Sequence, residues 1–174
     1  MKSKDFNKLF INELEDMYSA ENQILASLPK MIKLATNKEL KAALSHHLEE
    51  TETQVTRIEE IFNLLGITAK EKPCKGMEGI LKEGEEMVKG KTKSPALDAA
   101  IISAAQKVEH YEIASYGTLR SFAEHLDFSD DIIDRLQDSL DEEGTADKNL
   151  TKIADGSIFT SGVNKEAAKF NEKK

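Results

Sequence analysis

The chain has 174 residues, of which 39% are hydrophobic and 32% are charged, and its formal net charge is −8 at pH 7. The length suits a single domain with its own core, and the composition suits a bundle whose helices each bury one stripe. Acidic and basic residues are interleaved with no basic stripe, so nucleic-acid binding is not expected. No apolar run approaches the roughly 20 residues that span a bilayer, and the charged start lacks the pattern of a signal peptide. We therefore expect a cytoplasmic protein with no membrane partner.

The first half of the chain predicts two long helices. Apolar residues spaced by three or four positions indicate a helix over about 4–35, and the stripe continues past Pro29, which predicts a kink there rather than an end. Thr36 and Glu39 form a T-x-x-E start signal, which predicts a second helix over about 37–65.

The second half predicts another helical hairpin. Ser94 followed by a proline is a start signal for a third helix over about 95–126, and a tight joint leads to a fourth over about 130–154. The two remaining segments are a long crossover over 67–93, whose middle suits a short helix, and a weakly periodic tail over 155–174. One long crossover between two hairpins is typical of ferritin-type bundles. We therefore predict an all-α fold, a single ferritin-like four-helix bundle spanning residues 1–174.

All four helical stripes are interrupted by polar residues at positions that should be apolar. In chain order these are Glu21; His47, Thr51 and Gln54, with Glu50 one step aside; Glu109 and Glu112; and Glu143 and Asp147. At about 1.5 Å per residue, Glu21 and Glu50 lie equally far from the first joint, and Glu112 and Glu143 equally far from the second. The carboxylates of both hairpins are therefore predicted to meet near the middle of the bundle.

Several buried carboxylates need a counter-charge, because desolvation and mutual repulsion both oppose their ionisation. The nearest arginines, Arg57 and Arg120, lie about two helical turns from Glu50 and Glu112. A single acid has the alternative of pairing at the bundle edge, but a set in register favours two metal ions. Oxygen ligands in a helical cage suit iron, with manganese or zinc as alternatives. His47 and Gln54 are each interpreted as a ligand or as a partner that orients a carboxylate.

Four segments resemble the YciE/YciF family of bacterial ferritin-like proteins, and the resemblance extends from about Phe6 to Asn164. They are ELEDMYSAE at 13–21, HLEET at 47–51, VEHYEIASYGTL at 108–119 and LDEE at 140–143. The resemblance implies a four-helix ferritin-like fold, a homodimer and an association with stress responses.

A more distant likeness to rubrerythrin-type di-iron sites implies an assignment of ligands to two ions. By this likeness Glu21 and Glu50 serve one ion, Glu109 and Glu112 serve the other, and Glu50 and Glu143 bridge them. Asp147 stands where such sites can carry a histidine, and the chain has no Cys-x-x-Cys electron-transfer module.

Three functional hypotheses follow. The first is iron- or manganese-dependent handling of dioxygen or peroxide, in which Tyr18, Tyr111 or Tyr116 either lines the site or packs in the core. The alternative is a stress-induced structural or partner-binding dimer whose metal site is structural or vestigial. The third, iron storage in a cage, lacks a fifth helix long enough to support it. Cys74, the single cysteine, is interpreted as an ordinary exposed or half-buried thiol, with an intermolecular disulfide or a redox sensor on the crossover as the alternative.

Overall fold

The computed structural model describes residues 3–158 and 160–169, and these residues form six α-helices. The helices are α1 Lys4–Leu34, α2 Lys38–Leu64, α3 Lys75–Val88, α4 Pro95–His125, α5 Asp130–Asp155 and α6 Val163–Lys169. The described residues contain no strand beyond one isolated bridge between Gly156 and Ser161. None of the described helices is long and apolar enough to cross a membrane. The all-α prediction is confirmed, while residues 159 and 170–174 of the predicted tail lie outside the described part.

The four long helices pack around one apolar core. α1 pairs with α2 and α4 pairs with α5, each through a short connection, and the two hairpins meet along the α1–α4 and α2–α5 contacts. The crossover carries α3, which packs on α4 and α1, and α6 packs on α4 and α5. Pro29 lies inside α1, which continues past it to Leu34. This is the connectivity of ferritin-type bundles, two αα-hairpins joined by one long crossover.

The joint between α1 and α2 differs from the sequence-based expectation. Asn37, and not Thr36, caps α2, because its side chain accepts a hydrogen bond from the backbone N–H of Leu40 at 3.0 Å. Thr36 is instead held by Asp98 of α4, which accepts from the backbone nitrogens of Thr36 at 2.6 Å and Asn37 at 3.0 Å and from the Thr36 hydroxyl. The prediction of a capping box at Thr36 is therefore wrong. One buried carboxylate ties the first joint to the start of α4.

Cys74 begins α3 and is buried, so the expectation of an exposed or half-buried thiol is wrong. Its Sγ accepts from the backbone N–H of Met77 at 3.4 Å and lies 3.0 Å from the Tyr111 hydroxyl. The Tyr111 hydroxyl also donates to Asp16 at 3.0 Å. Burial raises the pKa of the Cys74 thiol, which disfavours the reactive thiolate. The residue therefore helps to fix the crossover against α1 and α4.

Candidate metal centre

Four buried side chains from three helices converge inside the bundle. His47 of α2, Glu109 and Glu112 of α4, and Glu143 of α5 each offer a ligand atom, and these atoms all lie within 4.8 Å of one another. His47 Nε2 is 3.4 Å from Glu109 Oε2, 3.9 Å from Glu112 Oε2 and 4.0 Å from Glu143 Oε2. One imidazole nitrogen therefore faces three carboxylate oxygens in the interior. We refer to these four residues as the central group.

Helical spacing explains why these side chains share one interior space. Glu109 and Glu112 are three residues apart on α4, so they lie on the same face of that helix. His47 continues the buried stripe that begins at Leu40 and Leu44 on α2. The periodicity that buries leucines elsewhere along these helices thus buries the ionisable side chains of the central group.

Most polar atoms of the central group have no hydrogen-bond partner among the described residues. These atoms are both ring nitrogens of His47, both carboxylate oxygens of Glu112, Glu109 Oε2 and Glu143 Oε2. Buried polar atoms normally form hydrogen bonds, and each unsatisfied one costs about 1–3 kcal/mol. Carboxylate oxygens and a neutral imidazole nitrogen are common ligands of divalent first-row metals. The donor set therefore fits a metal ion, which would supply the partner that these atoms lack.

The electrostatics of the central group favour protonated acids when no ion is bound. Burial raises the pKa of Glu112 well above its usual value, and the negative charges of Glu143 and Glu21 raise it further. Burial also raises the pKa of Glu109, and the neighbouring Glu143 carboxylate raises it further. A divalent cation would replace these protons, because it stabilises the ionised form of every carboxylate around it.

Glu21 of α1 lies beside the central group and is completely buried. The Tyr116 hydroxyl donates to its Oε1, whereas its Oε2 has no partner among the described residues. Burial raises the pKa of Glu21, and the charge of Glu143 adds to this effect. Tyr116 is thus both a core residue and a partner of a candidate ligand. Tyr18 instead donates to Glu59 at 2.6 Å.

Glu50 and Asp147 lie at the edge of the site and not in the central group. The side chain of Glu50 is 20% exposed, and its Oε2 is 3.8 Å from His47 Nδ1 while its Oε1 is 3.5 Å from His46 Nε2. Asp147 is 21% exposed and lies 3.3 Å from His110 Nε2. The structure therefore gives these two predicted ligands peripheral positions, where solvent reaches them.

Gln54 contacts a carboxylate of the central group through its amide nitrogen, while its Oε1 has no partner among the described residues. Its Nε2 donates to Glu143 Oε1 at 2.5 Å and to Glu142 Oε2 at 3.0 Å. Arg57 in turn holds Glu142 through two hydrogen bonds, of 2.6 Å and 2.7 Å. Sequence reasoning missed Glu142 and this use of Arg57. The available signals were that Arg57 follows Gln54 by three positions on one helix face and that Glu142 precedes Glu143.

A cavity of about 50 Å³ reaches the centre between α2 and α5. Besides His47 and Glu109, its polar lining includes His46, Glu50 and Asn149. We call it the polar cavity. Because two of its lining residues belong to the central group and Asn149 is exposed, it connects the centre with the surface through groups that suit hydrated cations.

Comparison with known proteins identifies the family. A family model described as "Domain of unknown function (DUF892)" matches residues 5–168. Protein YciF of Escherichia coli K12 is 39% identical over 166 residues, which cover 95% of this chain and 99% of that protein. The crystal structure of the E. coli stress protein YciF has a TM-score of 0.81 and 40% identity, covering 87% of this chain and 94% of its own.

A second solved structure is equally similar. YcfI, described as a putative structural protein from Rhodopseudomonas palustris, has a TM-score of 0.83 and 42% identity, covering 88% of this chain and 99% of its own. These relatives confirm the resemblance to YciF-type proteins that the sequence predicts. The chain belongs to the DUF892 family.

Proposed function

We propose that this protein binds a pair of metal ions at the central group and uses them to react with dioxygen or peroxide under stress. The observation that carries the proposal is the central group itself, four buried ligand residues whose donor atoms lie within 4.8 Å of one another. Most of these atoms have no other partner among the described residues. A set of unpaired buried acids would be costly without a cation to neutralise it.

The charge of the site supports two ions rather than one. Glu21, Glu109, Glu112 and Glu143 are all buried, with at most 2% exposure, and together they carry up to four negative charges when ionised. Two divalent cations match that charge, whereas one cation leaves two negative charges buried without compensation. In this proposal the central group and Glu21 hold the ions, and Glu50 contributes from the mouth of the polar cavity.

The proposal also assigns redox chemistry to the bound ions. When bound, a pair of iron or manganese ions would supply two electrons, the number that reduces one peroxide molecule to two waters with two protons. The protein's own residues contribute position and burial. Gln54 fixes Glu143, and Tyr116 fixes Glu21 while placing a phenol inside the site. The description of the E. coli relative as a stress protein supports the physiological setting.

A structural role for the ions is the second candidate. The description of the R. palustris relative as a putative structural protein favours it. Ligands from α1, α2, α4 and α5 would let the ions tie all four long helices together, so metal binding would raise stability without turnover. We also propose, from the sequence, a cytoplasmic homodimer. Light scattering and cell fractionation test that part.

Metal titration followed by reaction with an oxidant tests the proposal. We expect two Fe²⁺, Mn²⁺ or Zn²⁺ ions per chain by elemental analysis of the whole protein, and loss of binding in His47→Ala and Glu143→Gln. Glu86→Gln, a change at an exposed acid on α3, is the matched control and should bind as the unmodified protein does. Absence of bound metal would refute the proposal.

The Fe²⁺-loaded protein then separates the two candidate roles. We expect one peroxide molecule to oxidise two Fe²⁺ ions in the protein, as the electron count requires. Stoichiometric binding with a large gain in melting temperature, but no oxidation by either air or peroxide, would instead support the structural role.

A further inference from the structure

A second cavity, which we call the apolar cavity, borders the candidate metal centre and is lined by residues of α1, α2, α3 and α4. Its volume is about 30 Å³, and both His47 and Glu109 form part of its wall. The rest of the wall is almost entirely hydrophobic, with residues that include Ile80, Leu81, Ile101, Ala104, Ala105 and Val108. Both cavities therefore border His47 and Glu109, but the wall of one is polar and the wall of the other is hydrophobic.

Among the described residues, three polar side chains line the apolar cavity: Ser27, His47 and Glu109. The Ser27 hydroxyl is buried and has no hydrogen-bond partner among the described residues. A serine inside a helix commonly bonds to the carbonyl oxygen four residues earlier, and this one does not. Ordered water in a cavity needs two to four polar partners, and the part of the wall formed by Ile80, Leu81, Ile101 and Val108 supplies none.

The size of the apolar cavity suits a diatomic molecule. A cavity needs roughly 10–15 Å³ to accept one water, so about 30 Å³ leaves room for a molecule of two heavy atoms. Dry cavities with aliphatic walls bind xenon and other non-polar guests. Peroxide is a poorer guest, because its two hydroxyl groups would lose most of their hydrogen bonds on entering such a space.

We propose that the apolar cavity binds dioxygen beside His47 and Glu109, and that dioxygen rather than peroxide is the oxidant which the centre is built to receive. Two bound Fe²⁺ ions would supply the two electrons that, with two protons, reduce one dioxygen molecule to hydrogen peroxide. The choice of oxidant rests on the proposed function, whereas the binding of a small non-polar molecule stands on the cavity alone. Cations reach the centre through the polar cavity, lined by His46, Glu50 and Asn149. Cations and dioxygen therefore approach the centre through different cavities.

Methyl NMR of the whole chain under dioxygen pressure tests the binding directly. Dissolved dioxygen is paramagnetic and speeds the relaxation of nearby protons, and nitrogen at equal pressure is the reference. In both the Zn²⁺-loaded and the metal-free protein, we expect the methyls of Ala105, Ile101 and Val108 to show an effect several-fold larger than those of Ile58 and Ile61. The latter two are buried on α2 but do not line the cavity. An equal effect at both sets of methyls would overturn the proposal.

Filling the cavity gives the second test. Ala105→Leu adds volume at a half-buried position, where the larger side chain has room to shift outward, and Ala105→Val is the milder version. We expect these variants to lose the dioxygen effect and to keep the unmodified metal stoichiometry. Ala146→Leu, the same change in the wall of the polar cavity, should keep the effect. Persistence of the effect in folded Ala105→Leu and Ala105→Val would contradict the assignment.

The two proposals fail in different ways. A dioxygen effect at Ala105 without stoichiometric metal binding would refute the proposed function and the choice of oxidant, but would support the binding of gas in the cavity. Metal binding without that effect would overturn the cavity assignment and leave the metal centre standing. If both are present, Ala105→Leu should slow oxidation of the Fe²⁺-loaded protein by air several-fold and leave its oxidation by peroxide unchanged. Equal slowing with both oxidants would overturn the choice of dioxygen.

Discussion

Replacement of Glu112 by glutamine should change the stability of the protein in opposite directions without and with metal. Glu112 is completely buried, and neither of its carboxylate oxygens has a partner among the described residues. Its neighbours in the central group place further carboxylate oxygens within 4.8 Å. Two ionised carboxylates at that distance repel each other by about 3.5 kcal/mol at an effective dielectric constant of 20.

The metal-free protein avoids part of this repulsion by keeping its acids protonated. The pKa of Glu112 is raised in the folded state, so its contribution to stability is full below the unfolded pKa of about 4.5 and is lost as the pH rises towards the folded value. Glu112→Gln removes one ionisable group from this set. We therefore expect the variant without metal to be about 1–2 kcal/mol more stable than the unmodified protein near pH 8, and about equally stable near pH 5.

With metal present the order should reverse. An ion at a concentration of about 100 times its dissociation constant adds about 2.7 kcal/mol to the stability of the protein that binds it. In a chain of this size that gain raises the melting temperature by roughly 5–11 °C. Glu112→Gln should lose most of this gain, since an amide contributes no negative charge to the site.

Thermal unfolding of both proteins in chelator and in excess Zn²⁺, at about pH 5 and pH 8, measures all of these differences. Glu86 provides the control, because Glu86→Gln makes the same substitution at an exposed acid without touching the centre. A Glu112→Gln protein that is destabilised in chelator near pH 8 and stabilised by Zn²⁺ as much as the unmodified protein would refute the reasoning.

Three further predictions concern the surroundings of the centre. Asp98→Asn should lower the free energy of unfolding in urea by about 2–3 kcal/mol, because it disturbs three hydrogen bonds at the α1–α2 joint, and it should leave metal stoichiometry unchanged. Gln54→Ala should weaken metal affinity by about 10–100-fold in a competition titration while preserving the fold, because Gln54 orients Glu143. All three tyrosines have raised pKa values, about 12 for Tyr18, so absorbance near 295 nm should show no tyrosinate around the usual pKa of about 10 unless the protein unfolds.

Hydrophobic periodicity predicted that most of the candidate acidic ligands are buried, although charged side chains are usually exposed. Glu21, Glu112 and Glu143 occupy stripe positions and are buried there. Glu50 lies one position away from the buried stripe on α2. One position rotates a side chain by about 100° around the helix. That rotation accounts for its place at the edge of the site. Asp147 departs from the pattern, because Gln106 and His110 of α4 hold it near the surface.

Contacts between distant segments escaped sequence reasoning. Arg57 and Glu142 are 85 residues apart in the chain, and nothing local to either residue indicates that α2 and α5 bring them into a two-bond pair. Thr36 shows the same limitation at a helix start, where a contact from Asp98, 62 residues away, displaced the local capping signal. The apolar cavity depends on how side-chain volumes fill the space between four helices, which periodicity does not specify.

The order of the candidate ligands on α2 bears on which metal the proposed centre would prefer. Many di-metal bundles carry Glu-x-x-His on a helix, whereas this chain places His47 before Glu50. Residues three apart share a helix face in either order, so the reversal keeps both side chains near the site but gives the buried place to the imidazole and the edge to the carboxylate. His47 is then the single nitrogen donor of the central group, against three carboxylates. Carboxylates favour harder ions, whereas imidazole favours zinc and copper. We therefore expect the difference in affinity between Zn²⁺ and either Mn²⁺ or Fe²⁺ to be smaller here than in histidine-rich bundles.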